Sequence, residues 1–308
     1  MDPDEVVFFE KLGLTYIETI AKGGYGLVYL VHSDNYQSYF AMKKIPEKLF
    51  NEAEVNCLKT IYDPNIVVLY NYYKFQNYIY MLMEYCPTDL EKIMKHQKLF
   101  SKEELLKYSK EIVQSVCACH SKNIAHCDIK PANFLVDKYG RLKIGDFGLS
   151  SVYDDGYTCD LFKGTIIFMA PEVFGSEEYN PIISDVWAVG VTLYLLATRK
   201  YPFFSHDVEE LKKQIASGKF SETEVEDILL RDVIIRCLDT NPKYRITCSE
   251  ILEMPYFKPK QLPEISLSTI NRINSNVFIV KPRIFERKSL FAILKSSHLN
   301  VLEHRCHK

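Results

Sequence analysis

The feature that most constrains this chain is residues 124–149, I-A-H-C-D-I-K-P-A-N-F-L-V-D-K-Y-G-R-L-K-I-G-D-F-G-L. Two short strand-like runs, 134–136 and 142–144, flank the turn signal Lys138-Tyr139-Gly140 and predict a hairpin. Asp128, Asn133 and Asp146 lie in the loops on either side of it, so the three meet only if the hairpin closes. Their oxygens would then form an acidic pocket suited to Mg²⁺.

The strings H-C-D-I-K-P-A-N-F-L and G-D-F-G resemble the catalytic loop and the metal-binding motif of the eukaryotic protein kinase family. The resemblance implies ATP and Mg²⁺ as cofactors. It assigns Asp128 to orient a substrate hydroxyl and accept its proton, Lys130 to neutralise the transferred phosphoryl group, and Asn133 and Asp146 to hold the metal. One position departs from the pattern: the family's usual Arg after the His is Cys127. A thiol cannot make the charge-assisted bond to a phosphorylated activation segment, so activity is expected not to need phosphorylation there.

Upstream, the runs 16–20 and 27–31 flank A-K-G-G-Y-G and read as a hairpin with a glycine-rich tip. Gly23, Gly24 and Gly26 let backbone N–H groups approach phosphate oxygens, with Tyr25 as a shield from water. A plain tight turn explains the glycines alone as well. Val28 and the strand Phe40-Ala41-Met42-Lys43 follow, however, and resemble the family's loop and lysine strand. Ala21 replaces the family's usual first glycine and is expected to stiffen the loop. By the same resemblance Lys43 reaches the α- and β-phosphates and is held by a Glu of the next helix. Glu54 is the candidate, with Glu52 and Glu47 as alternatives that would turn other faces inward, and a solvated helix charge as the plain reading. The connection from Lys43 to Glu54 is short, and Pro46 suits the first turn of a truncated helix.

The run 78–83 leads into Glu84-Tyr85-Cys86-Pro87, which is similar to the family's fifth strand and adenine-binding hinge. Met83 is then the gatekeeper, backbone groups of Glu84 and Cys86 face adenine, and Asp89 is a ribose partner. The resemblance also places Ala21, Lys22, Val28, Ala41 and Leu135 around the nucleotide. Ser101 begins a helical segment to His120 with Glu104 as its capping box. After the polar stretch 150–163, G-T-I-I-F-M-A-P-E resembles the end of the activation segment, with Phe168 for the usual Tyr. Glu172 is expected to pair with Arg245, and Asp185 to cap the catalytic-loop backbone. Lys130 together with Thr165 resembles the serine/threonine branch. The resemblance spans residues 16–257.

Apolar residues make up 47% of the 308 residues and charged residues 25%, a globular composition in a chain long enough for two lobes. Nine cysteines without a C-x-x-C pair read as reduced thiols, hence cytoplasm or nucleus. The acidic start M-D-P-D-E has no signal-peptide character, and the apolar run 186–198 is too short to span a bilayer and reads as a buried helix. From 258 to 308 ten Lys or Arg stand against three Glu, which leaves a net charge of −9 on residues 1–257 and argues against nucleic acid as a partner.

The expected fold is α+β and bilobal: a protein kinase fold with a small β-rich lobe bearing one helix and a larger, mostly helical lobe. The expected divisions are an extension 1–14, a kinase domain 15–257 parted at 85/86, and a basic tail 258–308. The tail keeps apolar patches at 277–280 and 290–294 and reads either as a loosely packed extension or as a segment for a regulatory partner. The expected activity is transfer of the γ-phosphoryl of ATP to Ser or Thr of protein substrates, in a branch similar to the calcium/calmodulin-dependent kinases or related to them. A nucleotide-binding pseudokinase scaffold is the alternative, and an intact 164–172 segment argues against a small-molecule kinase. Ala132 and Leu195 stand where Arg-selecting relatives carry Glu, and Leu149 resembles relatives that prefer serine, so strong selection for an upstream Arg is not expected.

Overall fold

The computed structural model describes residues 2–23, 26–153, 164–175 and 177–258. The expectations for Gly24, Tyr25, residues 154–163 and the tail beyond 258 lie outside the described residues.

The chain opens with helix α1, Pro3–Lys11, started by a capping box between Asp2 and Glu5 and by Pro at its first turn. Strands β1 (Thr15–Gly23), β2 (Gly26–Ser33) and β3 (Ser38–Pro46) follow, then α2 (Glu52–Thr60), β4 (Leu69–Phe75) and β5 (Tyr78–Glu84). They form an antiparallel sheet in the order β1-β2-β3-β5-β4. Because side chains alternate along a strand, this sheet has two faces with different work. The register sets Val28 beside Lys43 and Ala41 beside Met83, which puts these four on one face. Tyr29, Val31, Met42 and Tyr80 point the other way and bury Phe9 and Leu14, so the segment expected as an extension is packed onto the sheet.

Pro46 is a correction to the sequence reading. It ends β3 opposite Tyr78 and does not enter α2. The helix begins six residues later, at Glu52, where the side chain of the preceding Asn51 accepts from the amide of Ala53 at 3.0 Å. A short 3₁₀ turn, Glu47–Leu49, fills the gap. The side-chain cap decides the start because it satisfies an orphan amide, whereas proline merely lacks one.

The second lobe runs β6 (Thr88–Asp89), α3 (Leu90–His96), α4 (Lys102–His120), β7 (Ile124–Ala125), β8 (Phe134–Val136), β9 (Leu142–Ile144) and β10 (Ser151–Val152). Helices α5 (Pro181–Thr198), α6 (Val208–Ser217), α7 (Ile228–Cys237) and α8 (Cys248–Glu253) complete it. Ser101 and Glu104 form the expected capping box of α4. Helix α5 starts earlier than the apolar run suggested and at 18 residues is long enough to cross a membrane, but it is buried without a break from Asp185 to Leu196. Gly190 allows α7 to approach it: a Cβ there would lie 2.6 Å from that of Cys237. The lobes are joined behind the site as well as through the hinge, since Val67 donates to Ile144 O at 3.0 Å and Ile144 donates to Asn65 O at 2.8 Å.

Candidate active site

Strands β8 and β9 pair in the register Phe134↔Ile144 and Val136↔Leu142, so the predicted hairpin is present. Its open end is fastened where the Gly145 amide donates to Asn133 O at 2.9 Å. The Asn133 amide nitrogen donates to Asp128 twice, to the backbone O at 2.7 Å and to Oδ2 at 3.0 Å. Lys130 Nζ lies 2.7 Å from Asp128 Oδ2 and donates to Thr165 Oγ1 at 2.9 Å, while the Thr165 hydroxyl donates to Asp128 Oδ1 at 3.0 Å. Asp128, Lys130 and Thr165 thus form a closed triangle with Asn133 on its edge. Gly164 is obligatory there: its φ is +103°, and a Cβ would stand 2.5 Å from Cys127 O.

The loop carrying Asp128 is held from below. Asp185, at the start of α5, accepts from the amides of His126 at 2.7 Å and Cys127 at 2.9 Å, and its Oδ2 lies 3.1 Å from His120 Nε2. Cys127 has a left-handed backbone, φ 64°. His126 bridges the two motifs: Nδ1 accepts from the Asp128 amide at 3.3 Å, and Nε2 is 3.0 Å from Gly145 O. Sequence reasoning named Asp185 and passed over His120 and His126, because a buried His looks the same in sequence whether it packs or positions.

Across the cleft, Lys43 Nζ lies 2.7 Å from Glu54 Oε1 and 2.9 Å from Asp146 Oδ1. Of the three glutamates considered, Glu54 is buried in this pair, Glu47 pairs with Lys74 and Glu52 faces solvent. Burial by itself would lower the Lys43 ammonium, but Asp146 and Glu54 outweigh it and raise it above its ordinary range. Burial by itself would raise the Asp146 carboxyl, and the adjacent Lys43 reverses that and holds it low. Asp146 sits in a left-handed conformation, φ 59° and ψ 68°, which aims it back at Lys43.

Met83 is buried at the end of β5 on the face of Lys43, Val28 and Ala41, and half-buried Leu135 borders the same core. The Glu84 amide is engaged with Val68 O at 2.9 Å. Its side chain meets the buried Lys143 at 3.0 Å, an ion pair that sequence reasoning did not anticipate. Burial pushes the Cys86 thiol up to about 12, so it is neutral at the hinge. Ala21 and Lys22 lie exposed on β1 opposite Val28 and Leu27. Asp89, the expected ribose partner, also caps α3: Oδ1 accepts from the Lys92 amide at 2.8 Å and Oδ2 pairs with Lys92 Nζ at 3.0 Å. A carboxylate just before a helix relieves the orphan amides of its first turn, and that local demand decided its place.

Among the described residues no group of three or more His, Cys, Asp and Glu side chains is arranged to hold a metal. Asn133 and Asp146 instead offer one amide and one carboxylate. The Asn133 nitrogen is taken by Asp128, which leaves its oxygen for a ligand, and Asp146 is 45% exposed toward the cleft. Such a sparse oxygen set fits Mg²⁺, which completes its octahedron with phosphate oxygens and water.

Residues 164–172 are anchored by the expected pair. Arg245 Nη1 and Nη2 reach Glu172 Oε1 and Oε2 at 2.5 and 2.9 Å, with the Arg245 side chain fully buried and Ser184 also donating to Oε1.

The family model that matches residues 14–257 is described as the protein kinase domain. Sperm motility kinase 2B of Mus musculus is 34% identical over 245 residues, covering 78% of this chain and 51% of that protein. CBL-interacting serine/threonine-protein kinase 8 of Arabidopsis thaliana is 35% identical over 217 residues, with 69% and 48% covered. The carbon catabolite-derepressing protein kinase of Saccharomyces cerevisiae is 31% identical over 259 residues, with 82% and 41% covered. The chain spans about half the length of the curated relatives it matches.

Proposed function

This chain belongs to the protein kinase family, and on that premise we propose that it transfers the γ-phosphoryl group of ATP to serine or threonine hydroxyls of protein substrates. The observation that carries the proposal is the closed triangle of Asp128, Lys130 and Thr165 facing the Lys43–Glu54–Asp146 group. Phosphoryl transfer asks a protein for positioning and charge, and both are supplied here by fixed groups.

Asp128 has both oxygens engaged, which stops the carboxylate from rotating and leaves it set to accept a hydrogen bond, then the proton, from an incoming hydroxyl. Lys130 brings a positive charge to the same point, where the charge of the transferred group builds up. Lys43 is oriented by two carboxylates toward phosphate oxygens. Adenine fits the apolar face of Val28, Ala41 and Met83 over Leu135, with backbone groups of Glu84 and Cys86 as its polar partners. Mg²⁺, when bound, neutralises the phosphate oxygens, and Asn133 and Asp146 would hold it. Substrate peptide is assigned to the segment 164–172, and a regulatory partner to the basic segment 258–308 on its composition. The site of action is placed in the cytoplasm or nucleus. This placement is supported by the seven described cysteines, none of which is in a disulfide.

The test is incorporation from γ-labelled ATP into casein by the full chain and by its Asp128→Asn variant. Incorporation by the first alone is expected. No incorporation, with nucleotide still bound, would leave the scaffold reading, which Ala21 and Cys127 motivate; equal incorporation by both would overturn the mechanism.

A further inference from the structure

Helix α1 lies before residue 14, where the match to the family begins, yet it carries the most heavily engaged carboxylate on the outer face of the nucleotide-binding sheet. Glu5 is 3% exposed. Its Oε1 lies 2.7 Å from Lys44 Nζ, accepts from the Tyr80 hydroxyl at 2.6 Å and stands 3.5 Å from that of Tyr29. Its Oε2 accepts from the Asp2 amide at 3.2 Å, so the same side chain closes the helix start and grips β2, β3 and β5. Burial would push this carboxyl up, but Lys44, Tyr80 and the Asp2 amide outweigh it and hold it below its ordinary range, so it stays ionised at neutral pH.

What it grips is the residue after Lys43. Neighbours on a strand face opposite sides, so Lys43 reaches the cleft while Lys44 reaches α1. The carbonyl of Lys44 also backs the glycine-rich hairpin, since a Cβ on Gly26 would lie only 1.9 Å from it. Aromatic packing broadens the hold: Phe8 stacks on Phe75 at 4.4 Å and Phe9 meets Tyr80 edge-on at 5.8 Å. We propose that Glu5 is a positioning residue of the nucleotide site: through Lys44 it fixes β3 from behind and so places Lys43 and the glycine-rich hairpin against the phosphates.

This rests on the reading of the cleft as an ATP site, and nucleotide binding separates the two. Dissociation constants for fluorescent ADP, with Mg²⁺, are measured on the full chain well below each variant's melting temperature, together with Michaelis constants for ATP and casein. Glu5→Gln is expected to weaken ADP binding and raise the ATP constant by about three- to tenfold, with the casein constant unchanged. Glu10→Gln, on the exposed side of α1, is expected to behave as the wild type. Tyr80→Phe removes one bond to Glu5 while keeping the ring, and carries the same test with a smaller shift if Glu5→Gln does not fold. A purely structural Glu5 would lower the melting temperature and leave the affinity of folded protein alone, and that result in both variants overturns the proposal. A wild type that binds no nucleotide overturns the ATP reading itself, and the proposal with it.

Discussion

Cys127 sits beside the residue proposed to take the proton, in a left-handed conformation that Asp185 holds through the Cys127 amide. The loop is therefore fixed through its backbone. A thiol at this position cannot make the charge-assisted bond to a phosphate that a guanidinium would make. Phosphatase-treated protein is accordingly expected to keep its activity on casein, and loss of most of it, regained on phosphorylation of a residue in 150–163, would contradict this. Asp128→Asn keeps the hydrogen bond from Thr165 but gives up the proton acceptor. Its turnover should fall by about 10²- to 10⁴-fold with ADP affinity little changed. A parallel loss of affinity would mean that the triangle holds nucleotide and does not serve the chemistry. Both positions were legible in the sequence because fixed spacing carries them. The capping role of Asp89 was not, because it depends on where α3 begins.

Between elements, two joints carry most of what the motifs do not state. The Arg245–Glu172 pair ties the segment 164–172 to the loop before α8, with Ser184 and the Ile183 carbonyl sharing its hydrogen bonds. Removing one partner strands a buried charge, so Arg245→Met should cost about 3–5 kcal/mol, whereas a double change of Arg245 and Glu172 to apolar residues should cost much less. Urea unfolding of the two variants checks this, and equal losses would show that packing, not the unpaired charge, is what matters. The second joint is α1 on its sheet. Phe9→Ala is expected to cost about 3–5 kcal/mol, on a par with core aromatics, although it precedes the family match. A midpoint unchanged from wild type would mean that the helix is only loosely docked. Its role was illegible beforehand because the signals that start it are local, whereas the face it covers is assembled from β2, β3, β4 and β5. The start of α2 was misread for a related reason: Pro46 suits a first helical turn, and only the register with Tyr78 decides that it ends a strand.

Across the whole molecule the two lobes meet electrostatically in the cleft, where Lys43 of β3 and Glu54 of α2 face Asp146 beyond β9, and beside the hinge, where Glu84 of β5 pairs with Lys143 of β9; the first junction is the one that bears on the site. The sign of its pH dependence follows from the two shifts. Asp146 is held below its ordinary value, so its contribution to stability is complete above about pH 4, the unfolded value, and fades as pH falls through the lower folded one. Lys43 is raised, so its contribution is complete below about pH 10 and fades as pH rises through the folded value. Between those limits the junction should be indifferent to pH. The difference in urea midpoint between the wild type and Asp146→Asn is therefore expected to be constant from about pH 5 to 9 and to shrink below about pH 4, where the wild-type carboxylate takes up a proton and comes to resemble the amide. A difference that persists undiminished into acid would mean that shape, and not charge, joins the lobes. Mg²⁺ with ADP should raise the wild-type melting temperature at neutral pH, because a ligand that binds only the folded state stabilises it by mass action. Asp146→Asn should lose most of that rise while keeping the part that ADP gives in the presence of a chelator, since adenine and Lys43 remain. If the variant and the wild type respond to Mg²⁺ alike, the metal is held elsewhere and Asp146 acts only as the counter-charge of Lys43.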